Sequence, residues 1–168
     1  MISKLYREKF SSMNDSELCW TSIEPIILRY KQTKGIGFIE DIYKKLNDGQ
    51  KALFMYTVFS IHALNSLEEY FWWTSSLLIY KKAWPELKKG LLFYRDQFMV
   101  AHLEELISYL HSKEINFENA PLGLLKDDVE LQKTVASSYA KFLVLSKNST
   151  NKISTYIRQS PADFIQFM

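Results

Sequence analysis

Residues 49–84 read GQKALFMYTVFSIHALNSLEEYFWWTSSLLIYKKAW, and within them Ala52 to Leu67 holds no Asp, Glu, Lys or Arg. The segment then runs into Glu68-Glu69-Tyr70-Phe71-Trp72-Trp73. Apolar and aromatic side chains this dense, at helical spacing, predict a pair of helices buried on nearly every side, the centre of an all-α domain. The stretch fixes architecture and not chemistry, because it carries no catalytic motif.

At 168 residues the chain fits a single domain, residues 1–168, long enough to bury a core without disulfides or a structural metal. A composition that is 47% hydrophobic and 15% aromatic, with only 5 Gly and 4 Pro, suits a packed helical protein and not a disordered or all-β one. The single cysteine, Cys19, excludes an intramolecular disulfide and a thiolate zinc cluster. It reads as a small buried apolar residue. A net charge of +2 gives no reason to expect a nucleic-acid or acidic-membrane partner. One local asymmetry stands out: from Leu131 to Ser160 the charges are Lys133, Lys141, Lys147, Lys152 and Arg158, with no acid among them. A solvated face is the default reading of that run and a weak anion-binding surface the alternative.

Met1 to Lys9 alternates charged with apolar residues and lacks the apolar run of a secretory signal, so a cytoplasmic location is expected. No membrane span is expected either, since Ala52 to Leu67 falls short of the roughly 20 apolar residues a bilayer needs and contains His62, Asn65 and Ser66. In that setting the glycosylation pattern Asn148-Ser149-Thr150 carries no meaning.

Turn and cap residues divide the chain. A first helix is expected from about Ile2 to Phe10, and Asn14-Asp15-Ser16-Glu17 caps a second from Ser16 to about Gln32, bent near Pro25 and ended by Lys34-Gly35-Ile36-Gly37. Phe38 to Leu46 reads as a short third, with Ile39, Ile42 and Leu46 on one face. Asn47 and Gln50 stand at capping-box spacing, and Trp84-Pro85-Glu86 opens a long helix from Glu86 to about His111. Asn116 to Lys126 reads as the longest loop. Asp127-Asp128 caps a helix from Val129 to about Leu145, and Ser160-Pro161-Ala162-Asp163 caps a last turn ending in Phe164, Ile165 and Phe167. No strand period is sustained, so the expected fold is a single-domain orthogonal or irregular helical bundle.

Chemistry has two places to hide. His62, Asn65, Ser66 and Glu69 would form one polar stripe on an unbroken helix, continued by Trp73, and a histidine beside a carboxylate could bind a metal or exchange protons. Ser66-Leu67-Glu68-Glu69, however, has the pattern of a capping box, which would break the helix at Asn65-Ser66 and fold Glu69 back on the Ser66 backbone N–H. The cap accounts for more of these residues and is the expectation. His102-Leu103-Glu104-Glu105 inverts the Glu-x-x-His order of carboxylate-bridged di-iron bundles and has no second copy, so Glu104 and Glu105 are expected in solvent and His102 beside the core edge. Phosphate-loop, zinc-protease and nucleophile-elbow motifs are absent, and no cofactor, catalytic residue or metal is expected.

Leu46-Asn47-Asp48-Gly49-Gln50-Lys51-Ala52-Leu53-Phe54, then Asn65-Ser66, then Glu69-Tyr70-Phe71-Trp72-Trp73 together resemble the DNA-mimic-like family of bacterial helical proteins over roughly Phe38 to Leu110. The break here lacks the family's glycines, and the chain lacks an acidic surface. The resemblance implies a helical fold, a bacterial cytosolic setting and regulation through protein contacts. Contact rather than catalysis is accordingly the expected function, as a regulator, an immunity-type partner or a homodimer. Trp73, Tyr80 and Trp84 are the candidate interaction residues, rimmed by Lys81-Lys82, with an unknown protein or a second copy as partner. The alternative is an enzyme or small-ligand binder with a pocket near His62 and Glu69.

Overall fold

In the computed structural model, which describes residues 2–32, 41–80, 83–113 and 121–168, the uncharged segment is helical through Ala63 as its spacing predicts. The described chain runs β1 (Ser3–Leu5), α1 (Arg7–Ser12), α2 (Asp15–Gln32), a helical stretch at 41–44, α3 (Asp48–Ala63) and α4 (Leu67–Ile79). It continues through α5 (Ala83–Phe93), α6 (Gln97–Ser112), α7 (Pro121–Asp127), α8 (Val129–Gln159), a 3-10 turn at Pro161–Asp163 and β2 (Ile165–Phe167). The fold is a helical bundle whose side chains share one buried cluster, reaching from Leu18 and Ile23 of α2 to Phe142 of α8 and Phe164. No helix among the described residues is long and apolar enough to cross a membrane.

Local chemistry sets most helix starts. Asn47 and Gln50 close a full capping box on α3, with Gln50 N–H to Asn47 Oδ1 at 2.8 Å and Asn47 N–H to Gln50 Oε1 at 3.2 Å. Asn14 and Glu17 do the same for α2, and the Asp128 carboxylate accepts from Leu131 N–H to start α8. The Asn47 and Gln50 amides also both donate to Asp163 O, at 3.0 and 2.9 Å, so one cap ties the centre of the fold to its C-terminal turn.

Two glycines let these elements approach. A Cβ at Gly90 would lie 3.0 Å from Ala52 Cα, so α5 crosses α3 almost backbone to backbone. A Cβ at Gly49 would lie 2.9 Å from Phe164 Cζ, and the Gly49 carbonyl accepts the Tyr94 hydroxyl at 2.7 Å.

Several expected boundaries are corrected. The helix expected over Ile2–Phe10 is instead strand β1 followed by α1, and Ile165–Phe167 is strand β2 rather than part of a last helical turn. The two strands pair in parallel, Ser3 with Ile165 and Leu5 with Phe167. Neither three-residue strand has a period of its own to read; each exists because the other end of the chain supplies its hydrogen bonds. The helix expected to stop near Leu145 runs on to Gln159, because Ser146, Ser149, Thr150 and Ser154 turn their hydroxyls back onto carbonyls three or four residues earlier and so remain inside it. Within the expected Asn116–Lys126 loop, Pro121–Asp127 is helical. The Lys34–Gly37 terminator and Ile39 lie outside the described residues, while Ile42 and Leu46 are buried.

The single long helix expected from Glu86 to His111 is two helices. Arg95 takes a left-handed backbone conformation with φ 56°, Arg95 N–H donates to Leu92 O at 2.9 Å and Asp96 N–H to Leu91 O at 2.8 Å. This paired closure ends α5 as glycine-terminated helices end, here without the glycine.

The α3–α5 crossing sets a direct test. Gly90→Val should lower the melting temperature by about 5–10 °C, the effect of roughly 2–3 kcal/mol of overpacking in a chain of this size. Gly123→Ala, where an added Cβ meets nothing within 4 Å, should change it little in the same calorimetric scan.

Candidate functional site

The break at Asn65-Ser66 is present: α3 ends at Ala63, and the Ser66 hydroxyl caps α4 by accepting from Glu69 N–H at 3.1 Å. Only half of the expected box forms. Rather than returning to the Ser66 backbone, the Glu69 carboxylate accepts from Asn65 Nδ2 at 3.1 Å and lies 3.5 Å from His62 Nδ1. The His62 ring stacks on Trp73, centroids 4.5 Å apart and planes 11° apart. His62, Asn65, Glu69 and Trp73 therefore do meet, across the corner between α3 and α4. The corner is a surface and not a cleft: the His62 and Glu69 side chains are 43% and 44% exposed, and solvent screens their interaction.

Farther along α4, Trp72 packs edge-on against Trp73 and is itself exposed. Tyr80 is the most open of the aromatic candidates at 63% exposure, whereas Trp73 and Trp84 are half-buried. Lys81 and Lys82 lie outside the described residues.

His102, expected at the core edge, is 3% exposed, placed by α6 against α4 and α8. Its Nε2 lies 3.2 Å from the Tyr70 hydroxyl and 3.3 Å from Ser138 Oγ, and those two hydroxyls are 2.9 Å apart. Three helices thus bring one polar atom each to a point beneath a groove of about 650 Å³ between α6 and α8. Burial holds His102 below the ordinary imidazole range, with the nearby Lys141 charge adding to the effect and Glu105 opposing it. Burial likewise pushes the Tyr70 phenol up. A neutral imidazole beside a serine resembles the start of a nucleophilic pair, yet His102 Nδ1 has no partner among the described residues, so no carboxylate orients the ring. Glu104 and Glu105 reach outward to Lys88 and Lys141, at 2.5 and 3.5 Å.

A second polar knot sits at the corner between α5 and α6. The buried Asp96 carboxylate receives the Lys152 ammonium at 2.7 Å and the Ser149 hydroxyl, while Lys152 also donates to Arg95 O at 3.2 Å and lies over the Phe98 ring. Every bond here goes to holding the turn, a structural use of charge. Cys19 is equally inert: its thiol faces Thr150 O at 3.6 Å, and burial pushes it up to about 12, far from a reactive thiolate.

Sequence reading missed Tyr70, Ser138 and Asp96 as polar partners. The Ser137-Ser138 pair, two small hydroxyls beside the buried stripe of α8, was the local signal available for one of them. Comparison with protein-family models, with curated proteins and with solved structures found no match. The arrangement of these side chains therefore carries the functional argument by itself.

Two measurements follow from the buried groups. Because folding lowers the affinity of His102 for its proton, the unfolded chain takes up that proton first. The stability it contributes should be full above the ordinary value of 6.5 and should fall as pH drops below it. His102→Gln should flatten that part of the stability-versus-pH curve measured by urea unfolding. Lys152→Met, which leaves the Asp96 carboxylate buried without its cation, should cost roughly 3–5 kcal/mol in the same assay at neutral pH.

Proposed function

We propose that this protein works by protein–protein contact and that the outer edge of α4 is its contact surface. The observation that carries the reading is the exposure of Trp72 on α4, against the His62–Trp73 stack, and of Tyr80 at the C-terminal cap of the same helix. Large aromatic side chains left in water favour a partner that covers them, and tryptophan and tyrosine are enriched where binding energy concentrates. Charge narrows the partner: α4 carries Glu68 and Glu69 in its first turn and no Lys or Arg. A segment with cationic side chains opposite those glutamates and apolar ones opposite Trp72 and Tyr80 complements the surface. The resemblance to DNA-mimic-like helical proteins supports the same class of action, regulation through protein contact in a bacterial cytosol.

The test pairs association with folding. In a pull-down from the native cell followed by titration of the captured partner, Trp72→Ala and Tyr80→Ala should each weaken binding by about tenfold or more, as loss of a hot-spot aromatic does. Glu68→Lys with Glu69→Lys should weaken it further and remove its salt dependence. Melting temperature should stay within about 2 °C of the parent for Tyr80→Ala, and should fall by only about 2–6 °C for Trp72→Ala, which loses its Trp73 contact, and for the double lysine variant, which loses the Glu69–Asn65 bond and opposes the α4 dipole, with helical circular dichroism kept in all three. Association that survives all of them rules out this surface, and a concentration-dependent dimer in sedimentation that Tyr80→Ala abolishes would identify the partner as a second copy of the chain.

A further inference from the structure

The groove between α6 and α8 has a different character from the α4 edge. One wall is α6, with Leu106 and Tyr109 giving an apolar face and His102 at its base; the other is α8, with Thr134, Ser137 and Ser138. Small hydroxyl side chains at these three α8 positions, beside the fully buried Val135 and Phe142, open a space that larger residues would fill. Its volume of about 650 Å³ suits a small molecule.

Charge and hydrogen bonding give the ligand its chemistry. Among the described residues, Lys133 and Lys141 line the groove with one acid, Glu105, which lies 3.5 Å from Lys141 in an exposed pair that solvent screens. Lys133 makes no ion pair among the described residues; Glu130, one turn before it on α8, pairs instead with Lys113 at 3.0 Å. The unpaired His102 Nδ1 and the Tyr109 hydroxyl, which has the Lys113 ammonium beside its ring, are buried beneath the walls and not open to the groove, so the Lys133 ammonium and the Thr134 and Ser137 hydroxyls are the polar groups the groove presents.

We propose that this groove binds a small molecule that joins an anionic group, a carboxylate or a phosphate, to a compact apolar ring. The anion meets the Lys133 ammonium and the Thr134 and Ser137 hydroxyls, which rotate to donate. The ring lies on Leu106 and Tyr109. Ser138 stays engaged with Tyr70 and His102 below, so the site recognises its ligand and does not attack it.

The experiment is an amide-resolved NMR titration of the full chain with phenyl phosphate and with benzoate, set against inorganic phosphate, sulfate and phenol. Saturable shifts confined to α6 and α8 around the groove, stronger for the ring-bearing anions than for any control, are the expected result. The tighter of phenyl phosphate and benzoate identifies the anionic group. Lys133→Ala, which removes one charge-assisted bond, should weaken binding by about tenfold or more, and Ser137→Leu, which fills the groove from an exposed position, should abolish it. Circular dichroism and melting of both variants should match the parent, since neither side chain is in the core. No saturable shift at millimolar ligand overturns the proposal, as do shifts that persist in both variants. Equal responses to sulfate, inorganic phosphate and the ring-bearing anions would mean an adventitious ion only and would overturn it as well. None of these outcomes depends on the α4 surface.

Discussion

The buried carboxylate of Asp96 is the constraint on which the layout turns. It sits where α5 gives way to α6, holds Lys152 and Ser149 of α8, and shares the lysine with the Arg95 carbonyl that the turn leaves free. An ionised carboxylate in the core is tolerable only when its lone pairs are occupied, and here α8 occupies them. That pins the corner to α8 and sends α6 back alongside it. The groove with His102 at its base exists because these two helices are held side by side.

A second set of bonds closes the molecule at its ends. The cap residues Asn47 and Gln50 hold the Asp163 carbonyl, and β1 and β2 join residues near both termini in a parallel ribbon. Around that closure Tyr94, Tyr156 and Phe164 meet edge to face, with centroids 5.5 and 6.2 Å apart in the two successive contacts, and Tyr94 donates to Gly49 O. One short segment at the start of α3 thus carries a helix cap, a backbone close approach and a long-range tether together.

The two candidate surfaces are physically connected. Tyr70 of α4 stacks on Phe142 with centroids 4.8 Å apart, and its hydroxyl meets His102 and Ser138 under the groove. Tyr139, one residue past Ser138, donates to Leu64 O at the end of α3, 3.1 Å away, close in sequence to the His62 corner. Aromatic packing and these hydrogen bonds thus join α4 to the helices that form the groove.

The sequence by itself determined the all-α class, the buried character of α3 and α4, the break at Asn65-Ser66 and the caps at Asn14, Asn47 and Asp128. These follow from local rules: the period of apolar residues and side-chain bonds spanning three or four positions, all written within one turn of helix. Tertiary structure alone decided the turn at Arg95-Asp96, because the apolar stripe continues across it and the left-handed residue is an arginine rather than the glycine that would announce it. Only a cation and a hydroxyl more than fifty positions away make Asp96 affordable there. The β ribbon pairs chain ends that are each too short to show a period. His102, Tyr70 and Ser138 converge from three helices, so the polar point beneath the groove has no spacing in the sequence at all; it comes into being when those helices pack.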